Sequence, residues 1–114
     1  MEDYNRAHEL NPRAVEPIYL RGVLFALAER WPDAESDFTS AIALDPKHQG
    51  AYYNRGLAHQ KQGRDDRAIA DYTKAIELDP TDPKPLINRG LLYAKQSRPD
   101  LAAADREKAT ALQK

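Results

Sequence analysis

The chain repeats itself with a period of about 34 residues. The stretch QGAYYNRGLAHQKQGRDDRAIADYTKAIELDP, continued by Thr81 and Asp82, lands on Val15–His48 when shifted back by its own length. Shifted forward, it lands on Pro83–Lys114. The residues that coincide are specific: Arg21-Gly22, Arg55-Gly56 and Arg89-Gly90; Ala34, Ala68 and Ala102; Asp37, Asp71 and Asp105; Ala41, Ala75 and Ala109; Leu44, Leu78 and Leu112. Self-similarity at such a period marks stacked supersecondary units, each too small to bury its apolar face alone. The period therefore predicts an elongated array and, for function, a binding scaffold.

Composition agrees with an array that buries a core. Hydrophobic residues make up 41% and charged residues 31% of the 114, so the chain is not compositionally disordered. The 17 basic and 18 acidic residues leave a net charge of −1, which gives no electrostatic case for a nucleic-acid partner. Cysteine is absent, which excludes disulfides and thiolate metal sites and leaves the redox compartment open. No apolar run approaches a membrane span, so no membrane partner is expected, and MEDYNRAHEL lacks the apolar core of a secretory signal.

Breaker residues divide the chain into helices without any strand pattern. Tyr4, Ala7 and Leu10, followed by Asn11-Pro12, match Tyr72, Ala75 and Leu78 before Asp79-Pro80, so residues 2–10 read as a short orphan helix, the second half of a truncated repeat. Proline suits a first helical turn and disfavours helix in the residue before it. Pro17 and Trp31-Pro32-Asp33 then give a helix over Pro17–Ala28 and a second one running to Leu44, stopped at Asp45-Pro46. Helices over Gly50–Gln62 and Asp66–Leu78 follow, the first closed by Gly63 in a left-handed cap. Asp82 can cap a helix with Pro83 in its first position, running to about Gln96-Ser97, and Pro99 opens the last, running to about Leu112. About seven helices result. The repeat boundaries fall at 1–14 for the truncated unit, then 15–48, 49–82 and 83–114.

These residues resemble the tetratricopeptide repeat, in an Arg-Gly variant. The family pattern is an aromatic residue or Trp, two residues, Leu-Gly, two residues, Tyr, then Ala, three residues, Phe, and later Pro. Repeat two supplies Tyr52, Arg55-Gly56, His59, Ala68, Tyr72 and Pro80; repeat one supplies Ile18, Arg21-Gly22, Phe25, Ala34, Phe38 and Pro46. Repeat three supplies Leu86, Arg89-Gly90, Tyr93 and Ala102, then departs. The resemblance implies an all-α fold, a right-handed α-solenoid of antiparallel helix pairs.

Three features test that expectation physically. Glycine inside a helix costs about 1 kcal/mol relative to alanine, so Gly22, Gly56 and Gly90 imply close approach of two helix backbones, faced by Ala34, Ala68 and Ala102. Arginine stands at Arg21, Arg55 and Arg89 where the family has leucine, and aspartate recurs at Asp3, Asp37, Asp71 and Asp105. Because an unpaired buried charge is expensive, an Arg–Asp ladder is expected, either within a repeat (Arg55 to Asp71) or to the preceding one (Arg55 to Asp37); the alternative is a set of solvated charges. Finally, Arg106, Thr110 and Gln113-Lys114 replace the aromatic, isoleucine and Asp-Pro positions of the earlier repeats, which reads as the polar end of an array, while the N-terminus starts mid-repeat.

The resemblance also implies a concave groove, lined by the first helix of each repeat, that takes an extended peptide or a partner helix. Its residues would be Glu16, Tyr19, Leu20, Val23 and Leu27; then Tyr53, Asn54, Leu57 and Lys61; then Lys84, Ile87, Asn88, Leu91 and Lys95. Val23, Leu57 and Leu91 would form a central apolar stripe, with ordinary core as the alternative. Asn54 and Asn88 would form an amide ladder able to bond a ligand backbone at donors and acceptors. Lys61 and Lys95 would form a basic margin, or simply a solvated face. The family's clamp for a peptide carboxylate matches only at Asn54 and Lys84; Tyr19, Val23 and Asn88 depart from it, so chaperone-tail binding is not expected.

Catalysis finds no support. His8, His48 and His59 occupy different repeat positions without metal-ligand spacing, His59 reads as a packed or edge residue, and Asp65-Asp66 suit a helix start. No phosphate loop or Ser/His/Asp set is present. Trp31 reads as a partly packed turn residue. The expected function is a non-catalytic interaction scaffold for a protein or peptide, without cofactor, metal, nucleic acid or membrane. The competing class is a structural segment of a longer array that self-associates through its N-terminal face.

Overall fold

A computed structural model of the chain describes residues 15–113. Six helices follow one another there: α1 (Val15–Leu27), α2 (Trp31–Leu44), α3 (Gln49–Lys61), α4 (Asp65–Leu78), α5 (Pro83–Lys95) and α6 (Pro99–Leu112). No strand occurs among the described residues. The helix expected over 2–10, with Asp3 and His8, lies outside them. Each odd-numbered helix packs against the even-numbered one after it, and α2 and α4 pack against α3 and α5, so three antiparallel pairs stack into an α-solenoid.

The turns are copies of one another because their backbone chemistry repeats. Within each pair the chain leaves the helix through a Schellman motif. Arg30 N–H reaches Phe25 C=O at 2.8 Å, Arg64 N–H reaches His59 C=O at 2.9 Å and Arg98 N–H reaches Tyr93 C=O at 2.8 Å. The left-handed residues are Glu29 (φ 58°), Gly63 (φ 79°) and Ser97 (φ 60°). Only Gly63 announces that conformation in the sequence; at Glu29 and Ser97 the motif imposes it at a cost of about 1–2 kcal/mol each. Between pairs, Asp45 and Asp79 close Asx turns on the amides of Lys47 and Thr81, both at 3.1 Å. The next helix then starts at a side-chain cap: His48 Nδ1 accepts from Ala51 N–H at 3.0 Å, and Asp82 from Lys84 N–H at 3.1 Å.

The core is built of small residues and a few rings. Ala34, Ala41, Ala51, Ala58, Ala68 and Ala75 are fully buried, with Phe38 and Tyr72 among them. The helical glycines serve those rings. A Cβ on Gly22 would lie 2.7 Å from the Phe38 ring, and one on Gly56 would lie 2.8 Å from the Tyr72 ring. The close approach is therefore chiefly of helix to aromatic side chain, with the Ala68 carbonyl 3.3 Å away as the backbone component, rather than of two bare backbones. At Gly90, where Arg106 replaces the aromatic, the nearest atoms recede to 3.3 Å (Asp105 Cβ) and 3.5 Å (Ala102 carbonyl).

The arginines pair within the repeat. Arg21 grips Asp37 at 2.8 and 2.7 Å, Arg55 grips Asp71 at 2.8 Å twice, and Arg89 grips Asp105 at 2.8 and 2.7 Å, each through Nε and Nη2 onto both carboxylate oxygens. The aspartates are only 5%, 6% and 3% exposed, which rules out the reading as solvated charges. The remaining nitrogen crosses to the preceding pair: Arg55 Nη1 lies 3.5 Å from Thr39 Oγ1, and Arg89 Nη1 donates to Thr73 Oγ1 at 3.0 Å. The hydrogen bond to the carboxylate raises the pKa of Arg55 and Arg89, burial opposing it.

His59 stands where Phe25 and Tyr93 stand in the neighbouring repeats and is 7% exposed. Its Nδ1 makes no hydrogen bond among the described residues and lies 3.7 Å from Glu35; its Nε2 lies 3.7 Å from Asp71. Burial lowers its pKa, as do Arg55 and Arg64, against the opposing pull of the two carboxylates. The folded state thus favours the neutral ring. Arg64, whose counterparts Arg30 and Arg98 cover the rings of Phe25 and Tyr93, instead donates to Glu35 at 2.7 Å.

Two outcomes follow from this packing. Gly56→Leu and Gly56→Ala should both destabilise, the alanine variant by about 1–3 kcal/mol in urea unfolding because the Tyr72 ring cannot retreat. Gly90→Ala should lie within about 1 kcal/mol of neutral, helix propensity offsetting the mild contact; equal losses at both sites would refute the ring-contact explanation. Because the His59 pKa is lower folded than unfolded, the unfolded state binds more protons and stability falls as pH drops through about 6.5. His59→Phe should therefore lose less stability than the wild type between about pH 7.5 and pH 5.5, as read by thermal melts at both values.

Candidate functional site

The first helix of each pair carries the groove residues expected from the sequence: Tyr19 and Val23 on α1; Tyr53, Asn54, Leu57 and Lys61 on α3; Lys84, Ile87, Asn88, Leu91 and Lys95 on α5. Contacts tie several of them together across the pairs. Asn54 donates to the Tyr19 hydroxyl at 2.8 Å, and Asn88 donates to the Tyr53 hydroxyl at 3.2 Å. The Lys84 ammonium stands 5.6 Å from the centre of the Tyr53 ring. Tyr19 and Tyr53 lean on the buried rings behind them, 5.8 Å from Phe38 and 5.9 Å from Tyr72. These aromatic pairs and the small residues beneath them hold the three helices side by side.

The amides are partly committed to the fold. Asn54 also donates to its own helix at the Gly50 carbonyl, 2.9 Å away. Both of its amide hydrogens are therefore used internally, so only the carbonyl oxygen is left for a ligand; the expectation of a fully two-sided amide ladder fails at Asn54. The Tyr19 hydroxyl, an acceptor in this arrangement, keeps its own proton to donate outward. Its pKa is raised by burial and by Glu16, with Asn54 pulling the other way, so it stays protonated. Behind Tyr53, burial raises the Tyr72 hydroxyl far above an ordinary phenol, and that hydroxyl donates to Gln60 at 2.7 Å.

The apolar stripe is graded. Val23 and Leu57 are half-buried, whereas Leu91 is 63% exposed and Ile87 is 38% exposed. Leu20 and Leu27 on α1 are also open. The basic margin is uneven for a different reason. Lys61 is exposed, but Lys95 pairs with Asp65 of α4 at 2.9 Å, which draws it toward the neighbouring pair. Other polar links were not legible from the repeat pattern. Glu35 collects Gln62 and Arg64, and Asp66 takes Gln96; the donors recur in register, but the two acids stand at different positions of the repeat. Thr39 and Thr73 could have been found, since Asp-Phe-Thr and Asp-Tyr-Thr repeat in register.

Among the described residues no group of three or more His, Asp or Glu is arranged to hold a metal ion, and no helix is long and apolar enough to cross a membrane. The site offers contact surface, hydroxyl donors, amide acceptors and, among the described residues, an exposed lysine at Lys61.

Comparison with known proteins agrees with this geometry. Family models described as tetratricopeptide repeat match residues 50–82 and 71–104. No curated protein matches by sequence. Solved structures of similar fold include MamA, at 28% identity and a TM-score of 0.85, aligned over 91% of this chain and 61% of that one. The chain thus spans about three-fifths of the MamA structure. The second such domain of Spaghetti (RPAP3), solved with the HSP90 peptide SRMEEVD, has 26% identity and a TM-score of 0.86 over 91% and 96% of the two chains. The domain of Arabidopsis OM64 has 29% identity and a TM-score of 0.86 over 90% and 84%. Residues 50–104 carry tetratricopeptide repeats, and the three stacked helix pairs continue that fold across the described residues.

Proposed function

We propose that the chain is a non-catalytic protein-interaction scaffold that binds a partner peptide or helix along the face formed by α1, α3 and α5. The observation that carries this reading is the combination of Leu91 and Ile87, exposed at one end of the stripe, with the Tyr19–Asn54 and Tyr53–Asn88 pairs beside it. Apolar side chains supply area, and outward hydroxyl protons and amide oxygens meet the carbonyls and N–H groups of an extended backbone. RPAP3 holds a peptide on the same fold, which supports the peptide class of ligand. The particular tail is a separate matter, since Tyr19, Val23 and Asn88 depart from the carboxylate clamp that such tails use.

A second reading is favoured by Leu24. Ala58 and Leu92, at the same place in α3 and α5, are buried against the preceding pair, whereas Leu24 is 65% exposed. That exposure suits a structural segment stacked on further repeats or self-associating at this end.

Leu91→Glu should abolish capture of the partner in a pull-down while leaving the melting temperature unchanged, because Leu91 is 63% exposed. Asn54→Ala combined with Leu57→Ala should weaken capture independently; undiminished binding by all three substitutions would remove the groove from consideration. For the second reading, sedimentation at low and high concentration should show association in the wild type and none in Leu24→Glu.

A further inference from the structure

The α5/α6 pair ends in an open cradle of about 290 Å³, lined by Ile87, Leu91, Ala94, Ala102, Arg106 and Ala109. The two earlier cradles show what such a hollow receives. Ala51 of α3 packs on Val15 and Ala41 of the first pair, and Leu92 of α5 packs on Ala68, Tyr72 and Tyr53 of the second. Each cradle takes a helix that presents a small residue, then a polar residue three positions on, then an apolar residue four beyond: Ala51, Asn54 and Ala58, or Pro85, Asn88 and Leu92. The polar residue donates to a tyrosine, and the arginine after it reaches a threonine of the preceding pair.

The third cradle changes every polar partner in that arrangement. Ile87 stands where Tyr19 and Tyr53 offer a hydroxyl. Arg106 stands where Phe38 and Tyr72 offer a ring, and Glu107 stands where Thr39 and Thr73 offer a hydroxyl. Arg106 and Glu107 are exposed, and neither side chain makes an ion pair among the described residues. An incoming asparagine would find no hydroxyl at the tyrosine position, and the Thr110 hydroxyl, which also lines the cradle, already donates to the Arg106 carbonyl at 2.9 Å. A carboxylate in its place would meet the Arg106 guanidinium, and an arginine next to it would meet Glu107.

We infer that this cradle, which borders the concave face at Ile87 and Leu91, is a second docking site for an amphipathic helix of a partner protein. That helix carries an acidic residue followed by a basic one at the centre of its packing face, with a small residue three positions before the acid and an apolar residue four after it. A second copy of this chain fits poorly: stacked head to tail, α1 would set Leu20 against Arg106 and leave the guanidinium without an acceptor.

The probe is a hydrocarbon-stapled peptide with the sequence of Pro83–Lys95, the helix that fills the second cradle, carrying Asn88→Glu; stapling compensates for the weak helicity of so short a peptide. Titrated into the full chain, it should bind more tightly than the Asn88 peptide and shift the amide resonances of Gly90, Ala102 and Ala109. A peptide carrying Asn88→Arg and Arg89→Glu should bind weakly. The exposed double substitution Arg106→Glu with Glu107→Arg should exchange the two preferences, each charge pair contributing up to about fivefold in affinity. Thr110→Trp, which fills the cradle, should abolish binding, whereas Asn54→Ala combined with Leu57→Ala, groove residues outside the cradle lining, should leave the cradle shifts intact. Equal affinities for both peptides, preferences that survive the charge exchange, or binding that persists in Thr110→Trp would each overturn the proposal. So would concentration-dependent self-association that Thr110→Trp abolishes, which would hand the cradle to a second copy.

Discussion

The forked Arg–Asp pair is the interaction on which the repeat geometry depends. In each pair of helices it spans from the middle of the first to the middle of the second, with both carboxylate oxygens engaged. A guanidinium fork can satisfy a carboxylate in only one relative orientation, so the pair fixes rotation and register together. Buried ion pairs often add little net stability, because desolvation cancels much of the attraction, but breaking one leaves a stranded charge at a cost of about 3–5 kcal/mol. Its contribution is therefore to exclude misregistered packings. The same guanidinium then extends to Thr39 or Thr73 of the pair before it, so one side chain specifies both the hairpin and its stacking.

Close packing around that fork follows from size. With the fork holding the helices in register, alanines at the interhelical contacts bring backbones near enough for Phe38 and Tyr72 to lie flat against Gly22 and Gly56. Those rings in turn support Tyr19 and Tyr53 on the next layer out, and the tyrosine hydroxyls receive Asn54 and Asn88 from the following helix. Fork, ring, tyrosine and asparagine form a chain of dependence from the core to the concave surface. Where Arg106 and Ile87 interrupt it, the glycine contact loosens and an open cradle is left. The loosened glycine contact and the open cradle are thus two consequences of the same substitutions.

The parts of this chain of dependence that recur in register were legible before the fold. The helices, their breaks at Asp-Pro and Gly, and the Arg–Asp ladder all follow from residues that return with the period, though the ladder's choice between two aspartates needed the geometry. Single-copy features were not legible. Glu29 and Ser97 take the left-handed turn that only Gly63 signals. Gln62 and Gln96 recur, but the acids that receive them, Glu35 and Asp66, stand at different positions of the repeat. Lys95 reads as a groove lysine by register, yet Asp65 captures it. Period reports what every unit must do; it is silent on what one junction does alone.

The concave face inherits its rigidity from this ordering. Each tyrosine is held behind by a buried ring and in front by an asparagine, so its hydroxyl points outward from a fixed position. Binding then loses less side-chain entropy than a surface of free rotamers would, at about 0.5–1.5 kcal/mol saved for each side chain already immobilised. The same bonds limit the chemistry on offer, because Asn54 has no amide hydrogen left to give. Across the first two repeats the face presents acceptors at the amides and donors only at the hydroxyls. A ligand backbone must alternate to match, as an extended peptide does with successive N–H and C=O groups, and a continuous helix, whose backbone groups are already paired, does not. That asymmetry suits an extended peptide better than a helix as the occupant proposed for this face.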